Sequence, residues 1–334
     1  MKIAVLTRPE IPFSLETYRE SIRKELSILG VEIIPFTESG PAPENCDIIW
    51  EPGLAGNHTP PNIYKNFRTT IVATVHGAAL FTLKRNEMDH SFLQAIRCKL
   101  KNRKTLSAWK WFHGKISAVI TVSEFAAREV SHVFSLPRGK IHPIYHGVDH
   151  ETFHQDGDIA KISEPYFLHV SQYSPKKNVA RIIRAYENLS NNRKPELIMI
   201  APGYTKTIRV KGIRHIREKR SPYELAKWYR GSIGFVFPSL HETFGMPVLE
   251  AMACGCPVIT SNNTACAEIA NDDALLVNPR SEHDITCAMQ RLGEDASLRD
   301  VLRKKGLARA QNFSWQKSAK EHLDVFEKVL KSRQ

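Results

Sequence analysis

The sequence has no uninterrupted apolar run close to the roughly 20 residues that a helix needs to cross a bilayer. The apolar part of residues 1–6 is also too short for a signal peptide. Internal repeats of short period and low-complexity tracts are absent as well. These absences argue against a membrane-spanning or exported chain, and we expect a protein that is made and kept in the cytoplasm.

Cysteine is scarce and lacks a pairing pattern. The six cysteines show no C-x-x-C spacing, which disfavours a disulfide framework and favours reduced, mostly buried thiols. The closest pair, Cys254 and Cys256, has no histidine or cysteine at ligand spacing around it. The sequence therefore predicts no metal site.

Acidic residues are outnumbered, with 35 Asp and Glu against 47 Lys and Arg, so that the formal net charge is +12. The excess is uneven. Residues 84–115 contain nine basic and two acidic residues (9 − 2 = +7), and residues 206–220 contain seven basic residues against Glu218. Such a chain favours anionic partners, namely lipid headgroups, phosphorylated substrates or nucleic acid.

Short apolar runs alternate with amphipathic helical stretches along the whole chain. This alternation predicts an α/β fold with parallel sheets covered on both faces, and 334 residues allow two doubly wound, Rossmann-like domains. The polar segment 149–164 marks the boundary, giving domains 1–155 and 156–314 and a C-terminal helix, 315–334, that packs back toward the first domain. Strands are predicted at 2–6, 31–36, 46–50, 69–75, 118–122, 140–145, 166–170, 197–201, 213–216, 234–238, 257–260 and 274–277. Because such domains bind ligands at the carboxyl ends of their strands, the interdomain cleft is the expected active site.

The segment 234–254 carries the strongest chemical signal. A buried strand runs into a polar turn, and a helix opens at Gly245, with Glu242 just before it and Glu250 inside it. A helix N-terminus offers unpaired N–H groups and a positive dipole end to an anion, and the expected donors are Gly245, Met246 and Val248, since Pro247 has no N–H. Carboxylates repel phosphate but suit hydroxyls, so the pattern indicates a nucleotide-sugar.

Several stretches together carry a resemblance to a known family. They are Val122-Ser123-Glu124-Phe125, His146-Gly147-Val148-Asp149, Pro175-Lys176-Lys177-Asn178, Phe237 through Val258, Ala274 through Pro279, and Phe313-Ser314-Trp315. The chain resembles the retaining glycosyltransferases of family 4, which have the two-domain GT-B fold. Its second half is similar to the branch of mannosyltransferases that assemble cell-surface polysaccharides.

The resemblance implies roles for individual residues. In the family the second glutamate binds the ribose hydroxyls and the first binds the donor sugar, which assigns Glu250 and Glu242. A basic pair holds the diphosphate, which assigns Lys176 and Lys177. Gln172 stands where many members have an arginine. We also expect Phe244, in the same turn, to bind the nucleotide-sugar.

The first domain matches the family only in outline. A histidine in relatives faces the donor sugar, which assigns His76, after the strand 69–75. The usual Gly-Gly loop after the first strand is replaced by Arg8-Pro9-Glu10-Ile11-Pro12. Asp156 and Asp158 look like a metal-binding aspartate pair of other glycosyltransferases, but they lie in the linker and are read as a solvated turn.

The leading hypothesis is therefore a metal-independent, cofactor-free hexosyltransferase that acts on a glycan or lipid-linked acceptor with retention of configuration. One alternative keeps the fold but not the transfer: a nucleotide-sugar epimerase or a sugar phosphorylase. Another is a basic polyanion-binding protein, although the charge lacks the aromatic platforms of nucleic-acid modules, and no nucleic acid is expected.

The basic stretch 84–115 allows two interpretations. Its interleaved apolar residues, including Trp109, Trp111 and Phe112, suit a helix lying on an anionic membrane, with the protein peripheral on the inner face. They equally suit a helix that faces the core and exposes a solvated basic side.

Overall fold

The computed structural model describes residues 1–8, 12–41, 43–54, 58–88, 92–190 and 194–332. Every predicted strand is confirmed within a few residues. The strands are β1 (Lys2–Leu6), β2 (Glu32–Phe36), β3 (Ile48–Leu54), β4 (Thr70–Val75), β5 (Ile116–Thr121), β6 (Ile141–Pro143), β7 (Tyr166–Val170), β8 (Glu196–Ile200), β9 (Ile213–Ile216), β10 (Gly234–Phe237), β11 (Val258–Ser261) and β12 (Leu275–Val277).

Helices follow most of the strands. They are α1 (Phe13–Ile28), α2 (Ala79–Thr82), α3 (Arg85–Met88), α4 (Phe92–His113), α5 (Glu124–Phe134), α6 (Val179–Glu187), α7 (Pro222–Gly231), α8 (Met246–Ala253), α9 (Ala265–Ala270), α10 (Glu282–Glu294), α11 (Ala296–Ala310) and α12 (Trp315–Lys331). Within the described ranges, no helix is long and apolar enough to cross a membrane.

The chain divides into two compact units, each with its own sheet. The first unit comprises Met1–Arg85, His90–Gly147 and Trp315–Gln334, and the second comprises Asn86–Asp89 and Val148–Ser314. The strand order is β2-β1-β3-β4-β5-β6 in the first sheet and β12-β11-β10-β7-β8-β9 in the second. All recorded pairings are parallel, as continuous apolar strands predict. The predicted α/β class is confirmed.

The last helix, α12, packs within the first unit against α1. The Tyr18 hydroxyl lies 2.7 Å from His322 Nε2 and 2.9 Å from Thr74 Oγ1. Phe326 is buried against Trp50, with ring centroids 5.9 Å apart. These apolar and polar contacts explain why α12, remote in sequence, belongs to the first unit.

Helix α6 begins later than the sequence predicts. The amphipathic pattern of the sequence predicts a helix over residues 177–190, but Pro175–Lys177 form a single 3-10 turn and α6 starts at Val179. The break is Asn178, whose φ of 65° and ψ of 22° are left-handed. Asparagine adopts this conformation more readily than most residues, and it ends a helical turn because the chain changes direction there.

The loop after β1 is braced by an ion pair. Arg8 donates two hydrogen bonds to the buried carboxylate of Glu51, at 2.8 and 2.7 Å, and the Tyr64 hydroxyl donates a third at 2.8 Å. Of the other predicted loop residues, Pro12 directly precedes α1, and residues 9–11 lie outside the described residues.

Candidate functional site

The turn between β10 and α8 is fixed from two sides. Leu240 N–H donates to the carbonyl of Lys176 at 2.8 Å, which ties the turn to the lysine pair. Ala265 N–H, at the start of α9, donates to the carbonyl of Glu242 at 3.1 Å. Gly245 closes the turn with a φ of +105°, and a Cβ there would lie 2.7 Å from Cys266 Sγ. Only glycine therefore fits at this point of the turn.

Glu242 lies in this turn as a buried, paired carboxylate. Its Oε1 accepts a hydrogen bond from Lys177 Nζ at 2.7 Å. Burial alone would raise the pKa of Glu242, but the positive charges of Lys177 and Lys176 outweigh it and lower that pKa to about 2. Lys177 Nζ also lies 4.9 Å from the centroid of the Phe237 ring. Glu242 is therefore ionised throughout the neutral range.

Glu250 occupies the next helix, α8, in different surroundings. Its Oε2 accepts a hydrogen bond from the buried hydroxyl of Tyr229 at 3.1 Å. Burial raises the pKa of Glu250 to about 7, and the Tyr229 hydrogen bond only partly offsets this. This carboxyl therefore changes protonation near neutral pH and can accept or donate a hydrogen bond.

The expected set of anion donors at the start of α8 needs a correction. Val248 N–H already donates to the carbonyl of Gly245 at 2.9 Å, so this N–H is used inside the first turn. The tight turn at Gly245 places that carbonyl within reach of Val248, so Val248 is less available to an anion than the sequence predicts. Gly245 and Met246 remain the candidate backbone donors.

The structure describes the other predicted binding residues of the second unit as well. Lys176 is half-buried, and its charge contributes to the low pKa of Glu242. Gln172 is exposed, and its Nε2 donates to the carbonyl of Pro202 at 3.2 Å. Phe244 is buried, with its ring centroid 6.3 Å from that of Phe313. The Phe244 side chain therefore supports the turn from the interior.

His76 lies in the first unit, directly after β4. Its Nε2 lies 2.9 Å from the carbonyl of Pro52, which can only accept, so Nε2 carries the proton. Burial lowers the pKa of His76 to about 4, and its ring meets that of Tyr18 edge-on at 4.9 Å. His76 is therefore neutral at pH 7, with Nδ1 as its acceptor.

Two residues of this site have no role in the predictions from sequence. Asn178 bridges loops of the second sheet with its side-chain amide, and Tyr229 donates to Glu250. The asparagine after a basic pair and before a helical run is a usable signal for a helix-breaking position. Tyr229 has no such signal, because its contact with Glu250 depends on how α7 and α8 pack.

The structure decides part of the question about the basic stretch. In α4, Trp109 is 1% exposed and its ring stacks on Phe134 with centroids 4.2 Å apart. Phe112 is buried as well. Trp109 therefore belongs to the core, and its predicted place at a membrane interface is wrong. Leu93 and Leu100 are 69% and 61% exposed, whereas residues 89–91 lie outside the described residues.

Among the residues that the structure describes, no three His, Cys, Asp or Glu side chains gather in a way that could hold a metal ion. Asp158 pairs with Lys227 Nζ at 2.9 Å, as expected for a solvated surface turn.

Two family models match consecutive parts of the chain. Residues 151–309 match the family described as Glycosyl transferases group 1. Residues 42–152 match the family described as Glycosyltransferase Family 4. The two matches together run without a break from residue 42 to residue 309, which includes ten of the twelve strands listed above but neither β1 nor β2.

Individual relatives share little sequence identity with this chain. The O-antigen chain mannosyltransferase B of Escherichia coli is 25% identical over 231 residues, which are 62% of this chain and 60% of that protein. A serotype-specific mannosyltransferase of the same species is 26% identical over 243 residues, 65% of this chain and 29% of that protein. The aligned part of this chain thus spans three fifths or less of these two curated relatives.

Among solved structures, the sucrose-phosphate synthase of Thermosynechococcus elongatus superposes with a TM-score of 0.78. It shares 17% identity, and the superposition covers 99% of each chain. At this identity the similarity establishes the fold alone.

Proposed function

The chain belongs to the glycosyltransferases of family 4, and on that premise we propose that it moves a hexose from a nucleotide-diphosphate-sugar to a glycan or lipid-linked acceptor with retention of configuration. The observation that carries this proposal is the arrangement in the second unit. A lysine pair, a helix start and two glutamates in unlike surroundings all follow the carboxyl ends of β7 and β10.

The cationic side of this arrangement suits the leaving group. When the glycosidic bond to phosphate breaks, negative charge develops on the nucleoside diphosphate. Lys176, Lys177 and the N–H groups of Gly245 and Met246 would stabilise that charge. Lysine donates as a point charge, so the diphosphate is held by attraction more than by a planar fork.

The two glutamates would bind the uncharged parts of the donor. Glu250 would accept hydrogen bonds from the ribose hydroxyls, and Glu242 from hydroxyls of the transferred sugar. The neutral His76 stays a predicted contact of the donor sugar, as the family resemblance implies. The acceptor hydroxyl would attack the anomeric carbon on the face that the diphosphate leaves, and the departing phosphate oxygen would take the acceptor's proton.

We further propose a mannosyl or glucosyl donor and a role in cell-envelope polysaccharide assembly. The support is the name of the two Escherichia coli relatives, both mannosyltransferases, one of O-antigen chains. The test starts with thermal-shift screening against UDP-, GDP-, ADP- and dTDP-sugars, because a ligand at 100 times its Kd stabilises by about 2.7 kcal/mol. Transfer from the stabilising donor would then be followed by NMR of the anomeric proton.

The outcomes of this test are distinct. A retained anomeric configuration in a new glycoside supports the proposal. A changed sugar without acceptor indicates an epimerase, and phosphate-dependent release of a sugar phosphate indicates a phosphorylase. Absence of stabilisation by every nucleotide-sugar would overturn the proposal.

We propose that no metal or cofactor takes part, because the lysines and the helix start can perform the charge stabilisation that a divalent cation supplies elsewhere. Transfer should then be unchanged by EDTA. Complete loss of transfer on chelation, restored by Mg²⁺ or Mn²⁺, would contradict this part of the proposal.

We also propose that the protein works on the inner face of the membrane, held there by α4. Leu93 and Leu100 are exposed, and Arg97, Lys101 and Lys104 are exposed at helical spacing from them. A face that combines apolar side chains with cations suits an anionic lipid surface, to which each basic residue contributes about 1 kcal/mol.

Sedimentation with phosphatidylglycerol or phosphatidylcholine vesicles at low salt tests this localisation. The double variant Lys101→Gln/Lys104→Gln should release the protein from anionic vesicles. The charge-matched control Arg303→Gln/Lys304→Gln, on the exposed side of α11, should not. Equal sedimentation of the native protein with both lipids would leave α4 with a solvated basic face only.

A further inference from the structure

The side-chain amide of Asn178 is engaged at every polar atom. Its Nδ2 donates to the carbonyl of Pro238 at 2.8 Å and to the carbonyl of Pro279 at 2.7 Å. Its Oδ1 accepts from Arg181 Nη1. The residue is 6% exposed. A buried amide with both protons and its oxygen bonded has a single orientation.

These hydrogen bonds join three loops that follow three strands of the second sheet. Asn178 itself directly follows the lysine pair after β7. Pro238 directly follows β10 and opens the turn that contains Glu242, and Pro279 follows β12. One side chain therefore sets the spacing between the loop that carries Lys177 and the turn that carries Glu242.

The backbone at Asn178 has a second requirement. Its left-handed φ of 65° ends the 3-10 turn of the lysine pair, and its N–H donates to the carbonyl of Pro175 at 3.1 Å. Its carbonyl accepts from Arg181 N–H at 3.0 Å and so starts α6. Glycine would satisfy the backbone without the bridges, and aspartate would lack the two donors. Asparagine supplies both the left-handed backbone and the two side-chain donors.

We propose that Asn178 is a positioning residue that fixes Lys177 relative to Glu242 in the empty and the donor-bound site. This rests on the proposed function, in which Lys177 holds the leaving diphosphate and Glu242 the sugar. Misplacement of either group by a fraction of an ångström lowers the rate of the transfer step more than the affinity for the donor.

The test is the variant Asn178→Gly, which keeps the left-handed backbone and removes the bridges. Its matched control is Asn271→Gly, an exposed asparagine with a φ of 49° at the end of α9. We expect Asn178→Gly to lower kcat about tenfold, with KM for the donor changed less than threefold. The control should change neither.

A double-mutant cycle with Lys177→Ala separates positioning from general damage. If Asn178 acts through Lys177, then Asn178→Gly has no further effect in the Lys177→Ala background. Multiplicative effects of the two changes would overturn the proposal, as would an Asn178→Gly variant as active as its control. Asn178→Asp, which keeps the acceptor toward Arg181, serves if Asn178→Gly does not fold.

The same cycle can be measured by calorimetric binding of a nucleoside diphosphate. If the native protein binds it but transfers no sugar, the proposed function fails while the binding cycle still decides the inference. A loss of affinity of up to about threefold on Asn178→Gly that disappears in the Lys177→Ala background would then support the positioning role. No loss in the native background, or loss of equal size in both backgrounds, would contradict it.

Discussion

Glu242 and Glu250 stand eight residues apart, yet the structure gives them opposite surroundings. Glu242, in the turn after β10, is paired with Lys177 Nζ at 2.7 Å, and its pKa is lowered to about 2. Glu250, on α8, meets the Tyr229 hydroxyl at 3.1 Å, and burial raises its pKa to about 7. The difference shows how one short motif can hold a permanent anion and a titrating carboxyl side by side.

Each carboxyl also depends on a different neighbouring element of the fold. Glu242 depends on the loop after β7, which carries the lysines, and Glu250 depends on α7, which carries Tyr229. In the proposed function Glu242 and Lys177 bind the transferred sugar and the leaving group, and Glu250 with Tyr229 binds the nucleoside. Changes on one side should therefore leave the other side intact.

A large effect on transfer is expected for Lys177→Ala. This change removes a cation from the leaving group and leaves the buried Glu242 without its counter-ion, so kcat should fall on the order of 100-fold. The free energy of unfolding should fall by about 3 kcal/mol, since an uncompensated buried charge is costly. The control is Lys304→Ala on the exposed side of α11. A fall in kcat of less than threefold would contradict the role of Lys177.

The two glutamates should influence stability in different pH windows. The pKa of Glu250 is raised to about 7, so its contribution to stability is complete below about pH 4.5 and is lost as the pH rises through 7. The pKa of Glu242 is lowered to about 2, so its contribution is present above pH 4.5 and is lost as the pH falls through 2.

Urea unfolding of two variants at pH 5 and pH 8 tests this difference. The free energy of unfolding of Glu250→Gln, taken relative to that of the native protein, should rise by about 2–3 kcal/mol from pH 5 to pH 8. The reason is that glutamine stays neutral, whereas Glu250 ionises over this range. Glu242→Gln should be destabilised equally at both values, because Glu242 is ionised at both. The same pH dependence in both variants would show that the two surroundings do not differ.

A smaller effect is expected for Tyr229→Phe. Loss of one hydrogen bond, worth about 1 kcal/mol, should weaken nucleoside diphosphate binding about fivefold. Because the Tyr229 hydroxyl lowers the pKa of Glu250, its removal should also move the pH midpoint of binding upward. Tyr186→Phe is the matched control, since that hydroxyl donates to the backbone carbonyl of Pro195 at 2.9 Å. If the pH midpoint of binding does not move, then the Tyr229 hydroxyl does not influence the pKa of Glu250.

The smallest effect is expected for Gln172→Arg, which restores the arginine of many family members. Gln172 is exposed, so an added charge there gains about 0.5 kcal/mol and should raise nucleoside diphosphate affinity about twofold at low salt. High salt should abolish the gain, and the uncharged nucleoside should show none. A gain that persists at 1 M salt would indicate a direct, desolvated contact.

The sequence predicted the strands well because each of them is a short apolar run between polar turns. The turn between a buried strand and a helix start drew attention to Glu242 and Glu250, whereas Lys176 and Lys177 were assigned by the family resemblance, and the binding roles of all four stay predictions. The sequence could not tell that Val248 N–H is used by Gly245, because that depends on the φ of +105° at the turn.

Contacts between remote elements were beyond the sequence pattern. Trp109 reads as an interfacial aromatic among lysines, but it stacks on Phe134 of α5. Tyr229 reads as one more apolar residue of α7, but its hydroxyl meets Glu250. In both cases the deciding fact is how two helices pack, and neither composition nor periodicity records it.

Calorimetric titration of Glu242→Ala and Glu250→Ala with the nucleoside diphosphate of the preferred donor tests the division of tasks most directly. Our account predicts that Glu250→Ala binds about 10- to 100-fold more weakly, since charged hydrogen bonds contribute about 1.5–3 kcal/mol. It predicts that Glu242→Ala binds within about twofold of the native protein while losing transfer, because the diphosphate lacks the sugar that Glu242 would contact. Equal loss of affinity in both variants would contradict it.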